Sequence, residues 1–213
     1  LADLAQEFNQ NNRLTINTQL IYERSFGNHH IGAMAGYEQM EYRYNFMSAA
    51  RSDYISTALP QLFAGSSEKE KQSNDGSASS TARVNFFGRV TYDYARKYMA
   101  QAIFRYDGSP NFPEDKRWGF FPGISLGWRI SEEDFMSNLN FVDNLKIRGS
   151  YGEMGNDAVD PYQYLTAYEY GNNYVLGGSD VVGLIQAGVP NPNITWEVAK
   201  TTHIAFDTTL SPV

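Results

Sequence analysis

The sequence predicts an all-β fold, an antiparallel transmembrane β-barrel segment of about seven strands that belongs to a larger barrel. Three observations carry the prediction. Apolar residues alternate with small polar and charged ones over stretches close to the roughly 9–11 residues that a tilted strand needs to cross a bilayer, where soluble strands usually run to about 5–6. Short and long connections alternate along the chain. Aromatic side chains gather towards the strand ends.

Taken in order, Leu14, Ile16, Thr18, Leu20 and Tyr22 form one face of a first strand from Arg13 to Tyr22, with Thr15, Asn17 and Gln19 on the other. Ser25–Asn28 reads as a turn, after which Ile31, Ala33, Ala35 and Tyr37 continue the apolar face opposite Gly32, Gly36 and Glu38. The pattern resumes with Phe86, Val90, Tyr92 and Tyr94 against Asn85, Arg89, Thr91 and Asp93. Ala95–Lys97 turns the chain into a strand that places Tyr98, Ala100, Ala102, Phe104 and Tyr106 against Gln101, Arg105 and Asp107. Ile124, Leu126, Trp128 and Ile130 then alternate with Gly123, Ser125, Gly127 and Arg129. Leu145, Ile147 and Tyr151 alternate with Lys146, Arg148 and Ser150, and Ile204, Phe206 and Leu210 with His203 and Asp207.

Almost every strand charge shares a face with small polar residues. Lys200 is the exception, early in the last strand, where its long stem is expected to reach a headgroup region. The connections at Glu23–His30, Ala95–Lys97 and Ser131–Asp143 are short, and those at about 43–82, 108–119 and 155–193 are long, which is the asymmetry of outer-membrane barrels. Tyr22, Tyr92, Tyr94, Tyr98 and Trp128 mark a girdle at the short-turn ends, and Tyr37, Tyr42, Tyr106 and Phe120 a second one at the long-loop ends. Glu68–Ser80 is charged and Ser-rich and reads as a mobile loop tip. Ser131 followed by Glu132, Glu133 and Asp134 reads as a capped helical turn within the link. An odd number of strands cannot close a bacterial barrel, whose strand counts are even from about eight upward, and open edges in lipid leave backbone groups unpaired. Residues 1–213 are therefore expected to be one part of a barrel, with a start inside a longer protein, since residues 1–12 lack the pattern of a signal peptide.

Composition narrows the function classes. A net charge of −7 without a basic stripe argues against nucleic acid as a partner. The absence of Cys removes thiolate metal sites and cysteine nucleophiles, and no motif calls for a cofactor. No run of 18 or more apolar residues is present, and a mean hydropathy of −0.47 fits a barrel in which only every second residue meets lipid.

The strand blocks also carry a resemblance. Phe87-Gly88-Arg89-Val90-Thr91-Tyr92-Asp93-Tyr94, Arg105-Tyr106-Asp107-Gly108-Ser109, and Phe121-Pro122 through Gly127-Trp128-Arg129 resemble the SusC/RagA type of TonB-dependent outer-membrane transporter. Asn144-Leu145-Lys146-Ile147-Arg148-Gly149-Ser150-Tyr151-Gly152, Gly155-Asn156 and Asn191-Pro192-Asn193-Ile194-Thr195-Trp196-Glu197 resemble its later blocks in order and spacing, over roughly residues 12–210. The chain departs from the pattern at Ser109-Pro110-Asn111, where Ser-Ser-Arg is expected. The resemblance implies the C-terminal barrel domain of a receptor of about 22 strands. It implies location in a Bacteroidetes-type outer membrane, in contact with its lipid. It further implies a plug domain outside this chain, TonB acting through a segment outside it, a SusD-like lipoprotein lid, and import of oligosaccharides or peptides. A non-transporting barrel acting as an adhesin or binding platform is the alternative.

Two motifs compete with that reading. Gly123-Ile124-Ser125-Leu126-Gly127 satisfies G-x-S-x-G with His203 downstream, but the elbow needs a strand-to-helix turn and Ser125 falls inside an alternating strand, so no enzyme is expected. His29 and His30 are adjacent and face opposite ways in a strand, which suits a polar turn better than a metal site. The candidate site residues are the lumen-facing cations Arg89, Arg105, Arg129, Lys146 and Arg148, as contacts to substrate or plug, with cross-strand ion pairing as the competing role.

Overall fold

A computed structural model describes residues 2–137 and 141–210. Seven strands form one sheet: β1 (Ala2–Phe26), β2 (His29–Tyr54), β3 (Gln72–Tyr94), β4 (Tyr98–Gly108), β5 (Trp118–Arg129), β6 (Val142–Asn156) and, after four short strands, β11 (Glu197–Leu210). They are hydrogen-bonded in the order β1-β2-β3-β4-β5-β6-β11, and every pairing whose register is described is antiparallel. The short strands β7 (Tyr168–Tyr170) with β10 (Leu184–Gln186), and β8 (Tyr174–Leu176) with β9 (Ser179–Val181), make two ribbons inside the last long connection.

The chain divides into two compact units. The first, residues 1–16 and 39–82, holds the far ends of β1, β2 and β3. The connection expected at 43–82 is largely strand. β2 continues to Tyr54, β3 begins at Gln72, and Gln72–Ser80 of the expected loop tip lies in β3, because paired backbone outweighs the weak strand preference of Ser, Asn and Gly. Here Tyr42 donates to Asn11 Oδ1 at 2.6 Å and lies under the Arg13 guanidinium at 5.8 Å, on the polar face opposite Leu14. Tyr42 is therefore not a member of the aromatic girdle. Lys71 pairs with Asp53 at 2.8 Å, a contact that raises the lysine pKa.

The second unit, residues 17–38 and 83–213, carries the regular wall. β4, β5 and β6 contain 11, 12 and 15 residues. At about 3.3 Å per residue and a tilt near 45°, the shortest spans roughly 26 Å, about the height of an apolar membrane band. The decisive feature is what the sheet leaves uncovered. Leu126 is 58% exposed, Ile204 75% and Phe206 68%, while Phe112 and Phe121 are the buried apolar residues described in this unit. Soluble sheets cover the apolar face of an alternating strand, whereas a membrane barrel turns it outward.

Two turns at the short end explain the tight hairpins. Gly27 sits between β1 and β2 at φ +56°, which an L side chain rarely adopts. Ala95 and Arg96 take φ values of 53° and 58°. Asp93 Oδ1 accepts from the Arg96 N–H at 2.8 Å, and the Ala95 N–H donates to the Asn28 carbonyl at 2.7 Å, so neighbouring groups hold this strained turn. The link after β5 contains the expected helical turn, as two 3₁₀ turns at Ile130–Glu132 and Asp134–Met136, but Ser131 lies inside the first of them and caps neither. Ser131 Oγ is buried without a hydrogen-bond partner, and the rest of the expected link reaches residues 138–140, outside the described region.

Candidate functional site

Alternation and register assign two faces within the second unit. On one, Phe104 stacks near Phe120 with centroids 6.1 Å apart, Tyr37 lies 5.3 Å from Phe86, and Tyr106 lies 4.9 Å from Trp118. These rings form the girdle at the long-connection end. At the other end His29 lies 4.8 Å from Tyr94 and hydrogen-bonds Tyr92 at 2.8 Å, while His30 bonds Ser25 at 2.9 Å on the opposite face. The two histidines diverge, as their adjacency requires.

Glu133 organises the short-turn girdle. Its Oε1 accepts from the Tyr98 hydroxyl at 2.6 Å and from Trp128 Nε1 at 2.9 Å, and its Oε2 lies 3.5 Å from Lys97 Nζ. Those two hydrogen bonds, with Lys97 adding a smaller attraction, hold the carboxyl below its ordinary pKa. The first girdle is thus tied to the link by the polar tips of its aromatic residues.

Lys200, the apparent exception, stands directly opposite Glu153 in the β6–β11 register and pairs with it at 3.2 Å, while Tyr151 donates to the same carboxylate. Its charge is met by a cross-strand partner rather than by reach alone.

The opposite face carries the five candidate cations. Arg105 forms a bidentate pair with Asp107, with Nε and Nη2 each 3.0 Å from a carboxylate oxygen, and lies over the Phe87 ring at 5.8 Å. Arg148 pairs with Asp207 on β11 through contacts of 3.1 and 3.3 Å. Arg129 and Lys146 are register partners across β5 and β6, which sets two like charges side by side, and Arg129 Nε is buried without a hydrogen-bond partner. Arg89 is exposed on β3 opposite Ile103. Among the described residues, then, two of the five cations are neutralised by carboxylates on their own face, and three are not joined in an ion pair. Ser125 is mid-strand, in register with Gln101 and Ser150, so the G-x-S-x-G run forms no elbow.

Sequence reasoning missed a small core at the long-connection end. Phe112 is fully buried, Phe121 is 4% exposed, and both rings lie 5.2 Å from Trp196. A Cβ on Gly119 or Gly155 would collide with Cζ of the buried Phe121 ring, so the close approach there favours glycine. Asn111, buried at the departure from the family pattern, donates its amide to the Asp157 and Val159 carbonyls at 3.0 and 3.3 Å. Lys116 reaches Asn193 Oδ1 at 2.9 Å, Trp196 Nε1 donates to the Arg117 carbonyl at 3.2 Å, and Arg83 pairs with Asp157 at 2.8 Å. The β4–β5 and β6–β11 connections are thereby latched to each other, and Arg83 of β3 to the second of them. The only signal in sequence was the polar-aromatic run at 191–197, which period-two analysis does not read.

Residues 2–211 match the family model described as TonB dependent receptor-like, beta-barrel. The chain belongs to this family. It is 30% identical over 205 residues to TonB-dependent receptor P3 of Formosa agariphila, covering 95% of this chain and 20% of that one. It is 28% identical over 197 residues to TonB-dependent receptor SusC of Bacteroides thetaiotaomicron, covering 91% and 19%. The structure superposes on the RagAB peptide importer in its open-open state with a TM-score of 0.86 at 20% identity, covering 98% of this chain and 22% of that one, which shows the shared fold. The chain spans about a fifth of the length of the curated relatives it matches.

Proposed function

We propose that this chain is part of the wall of a TonB-energised outer-membrane importer that takes up bulky nutrients, oligosaccharides or peptides, together with a SusD-like lipoprotein lid. The observation that carries the reading is the division of the wall into an uncovered apolar face and a charged polar face, in a member of the TonB-dependent receptor-like β-barrel family. The apolar face meets outer-membrane lipid and the polar face lines the lumen. Likeness to SusC and to an assembly described as a peptide importer favours transport over an adhesin role. Energy coupling through TonB and the plug is assigned to segments other than these 213 residues.

Within that lumen, Arg105 and Arg148 serve the wall through their carboxylate partners, and Arg89, Arg129 and Lys146 are the cations offered to plug or substrate. In-frame removal of residues 160–189 from the full-length receptor, followed by growth on large glycans and on peptides as sole nutrient, tests the reading. Loss of growth on one substrate class with the barrel still inserted is expected. Undiminished growth on every large substrate would overturn it.

A further inference from the structure

At the short-turn end of the second unit the apolar face carries a groove of about 600 Å³ that runs across β3, β4, β5 and β6. Register shows how it arises. Tyr98, Trp128 and Ile147 form one row across β4, β5 and β6, and Ala100, Leu126 and Gly149 form the next, roughly 5 Å deeper into the membrane. Large side chains thus rim an opening whose floor is cut low by Ala100 and Gly149, with Tyr92 of β3 closing one side. Crowding does not force the glycine, because a Cβ on Gly149 would meet nothing closer than the His203 carbonyl oxygen at 3.9 Å. The wall has room there for a side chain that it does not supply. The lining is almost wholly apolar, which suits a hydrocarbon chain.

The mouth of the groove differs in chemistry. Glu133 Oε1 holds the polar tips of Tyr98 and Trp128, two of the rim residues, which brings the link and Lys97 to the same edge. Lys97 Nζ carries three N–H donors and approaches Glu133 Oε2 at 3.5 Å, so donors remain for an anion. Arg96, exposed in the same turn as Lys97, joins no ion pair among the described residues. Glu132 and Asp134 flank Glu133, are both exposed, and likewise join no ion pair among the described residues. Cations for a phosphate and carboxylates for an ammonium therefore stand beside an apolar trough.

Charge and donors select the occupant. A headgroup with a phosphate and no cation would satisfy Lys97 and Arg96 but set an anion against Glu132 and Asp134. A quaternary ammonium has no N–H to donate, whereas a primary ammonium donates up to three hydrogen bonds. The groove opens on the face that meets lipid, in the half nearer the short turns, which is the periplasmic leaflet.

We propose that this groove binds one phospholipid of the periplasmic leaflet, with an acyl chain over Ala100 and Gly149 and a headgroup of phosphate and primary ammonium against Lys97, Arg96, Glu132 and Asp134. This rests on the reading of the apolar face as lipid-facing and of the short turns as periplasmic, and adds to it a specific lipid at a specific place.

The test is native mass spectrometry of the delipidated full-length receptor in detergent, titrated with phosphatidylethanolamine, phosphatidylcholine or phosphatidylglycerol of identical acyl chains. One phosphatidylethanolamine is expected to be held about tenfold tighter than either other lipid. Gly149→Leu fills the groove without a clash in the wall, and Lys97→Met keeps the stem but removes the charge; each is expected to lower that affinity about tenfold. Glu132→Gln with Asp134→Asn is expected to abolish the preference for phosphatidylethanolamine over phosphatidylcholine. Ala33→Leu, on the apolar face of β2, is the control and should bind as the parent does, and heat-modifiable gel mobility verifies each barrel. Equal retention of the three lipids by the parent, parent-like binding by Gly149→Leu or Lys97→Met, or an equal loss in Ala33→Leu would overturn the site and leave the wall reading standing. A preference that survives the Glu132 and Asp134 substitutions would overturn the headgroup assignment. Failure of the parent to insert into phospholipid vesicles would instead remove the lipid-facing reading itself.

Discussion

Ile124→Arg puts the facing of the wall to a quantitative test. Ile124 lies four residues from Trp128 in the short-turn girdle and four from Phe120 in the other, and it is 51% exposed. Four residues at about 3.3 Å, inclined by about 45°, place it roughly 9 Å along the membrane normal from each girdle, close to the midplane. An arginine at that depth on the lipid face costs about 2–4 kcal/mol, or roughly 30- to 900-fold in the folding constant. Gln101 is the control, because it is in register with Ser125 and Thr91 on the polar face at a similar height. Gln101→Arg is expected to cost less than about 1 kcal/mol, since its guanidinium stays in the watery lumen. Urea titration of the full-length receptor folded into phosphatidylcholine vesicles gives both values. Equal losses, or a larger loss for Gln101→Arg, would mean that the faces are reversed or that this sheet does not meet lipid.

Glu133 gives a pH dependence. Its folded pKa lies below the unfolded value of about 4.3, so its contribution is fully present above that value and is lost as pH falls through the folded pKa. The Tm difference between the parent and Glu133→Gln should be constant near neutrality and shrink below about pH 4; a difference that grows in acid would contradict the node. Phe112→Ala should open a cavity costing about 3–5 kcal/mol, felt locally, so hydrogen exchange should quicken in 109–117, 157–159 and 191–196 while β4 and β5 keep their protection. Gly36→Ala should cost about 1–3 kcal/mol because its Cβ meets the Phe87 ring, and Phe87→Ala should relieve most of that penalty in a double-mutant cycle. Arg105→Ala with Asp107→Ala should change stability by less than about 1 kcal/mol, the pair being half exposed on its arginine side; a loss of uptake in that double variant would move Arg105 from wall to substrate path.

The wall was legible because a strand between lipid and water obeys a local rule. Ile124, Leu126 and Trp128 face one solvent and Ser125, Gly127 and Arg129 another, and the periodicity needs no knowledge of distant residues. The strand ends were less legible. Once β2 passes Glu38, pairing rather than composition keeps the chain extended, so polar stretches such as Gln72–Ser80 join the sheet without an apolar face to announce them. Ser131 matched the pattern of a cap, yet the link closes into 3₁₀ turns in which its hydroxyl finds no backbone N–H.

The long-connection core was illegible for the opposite reason. Phe112, Phe121 and Trp196 stand in three separate segments, and only the paired hairpins bring them together. The same distinction explains why five cations could be named but not assigned roles from sequence. The partner of Arg105 lies two residues away, within reach of a local pattern, whereas the partner of Arg148 is Asp207 on the next strand of the sheet and far along the chain. Pairing joins Arg105 and Arg148 to carboxylates and leaves Arg89, Arg129 and Lys146 outside the ion pairs of the described residues. A strand cation therefore becomes informative about function only after the register has shown which carboxylate stands beside it.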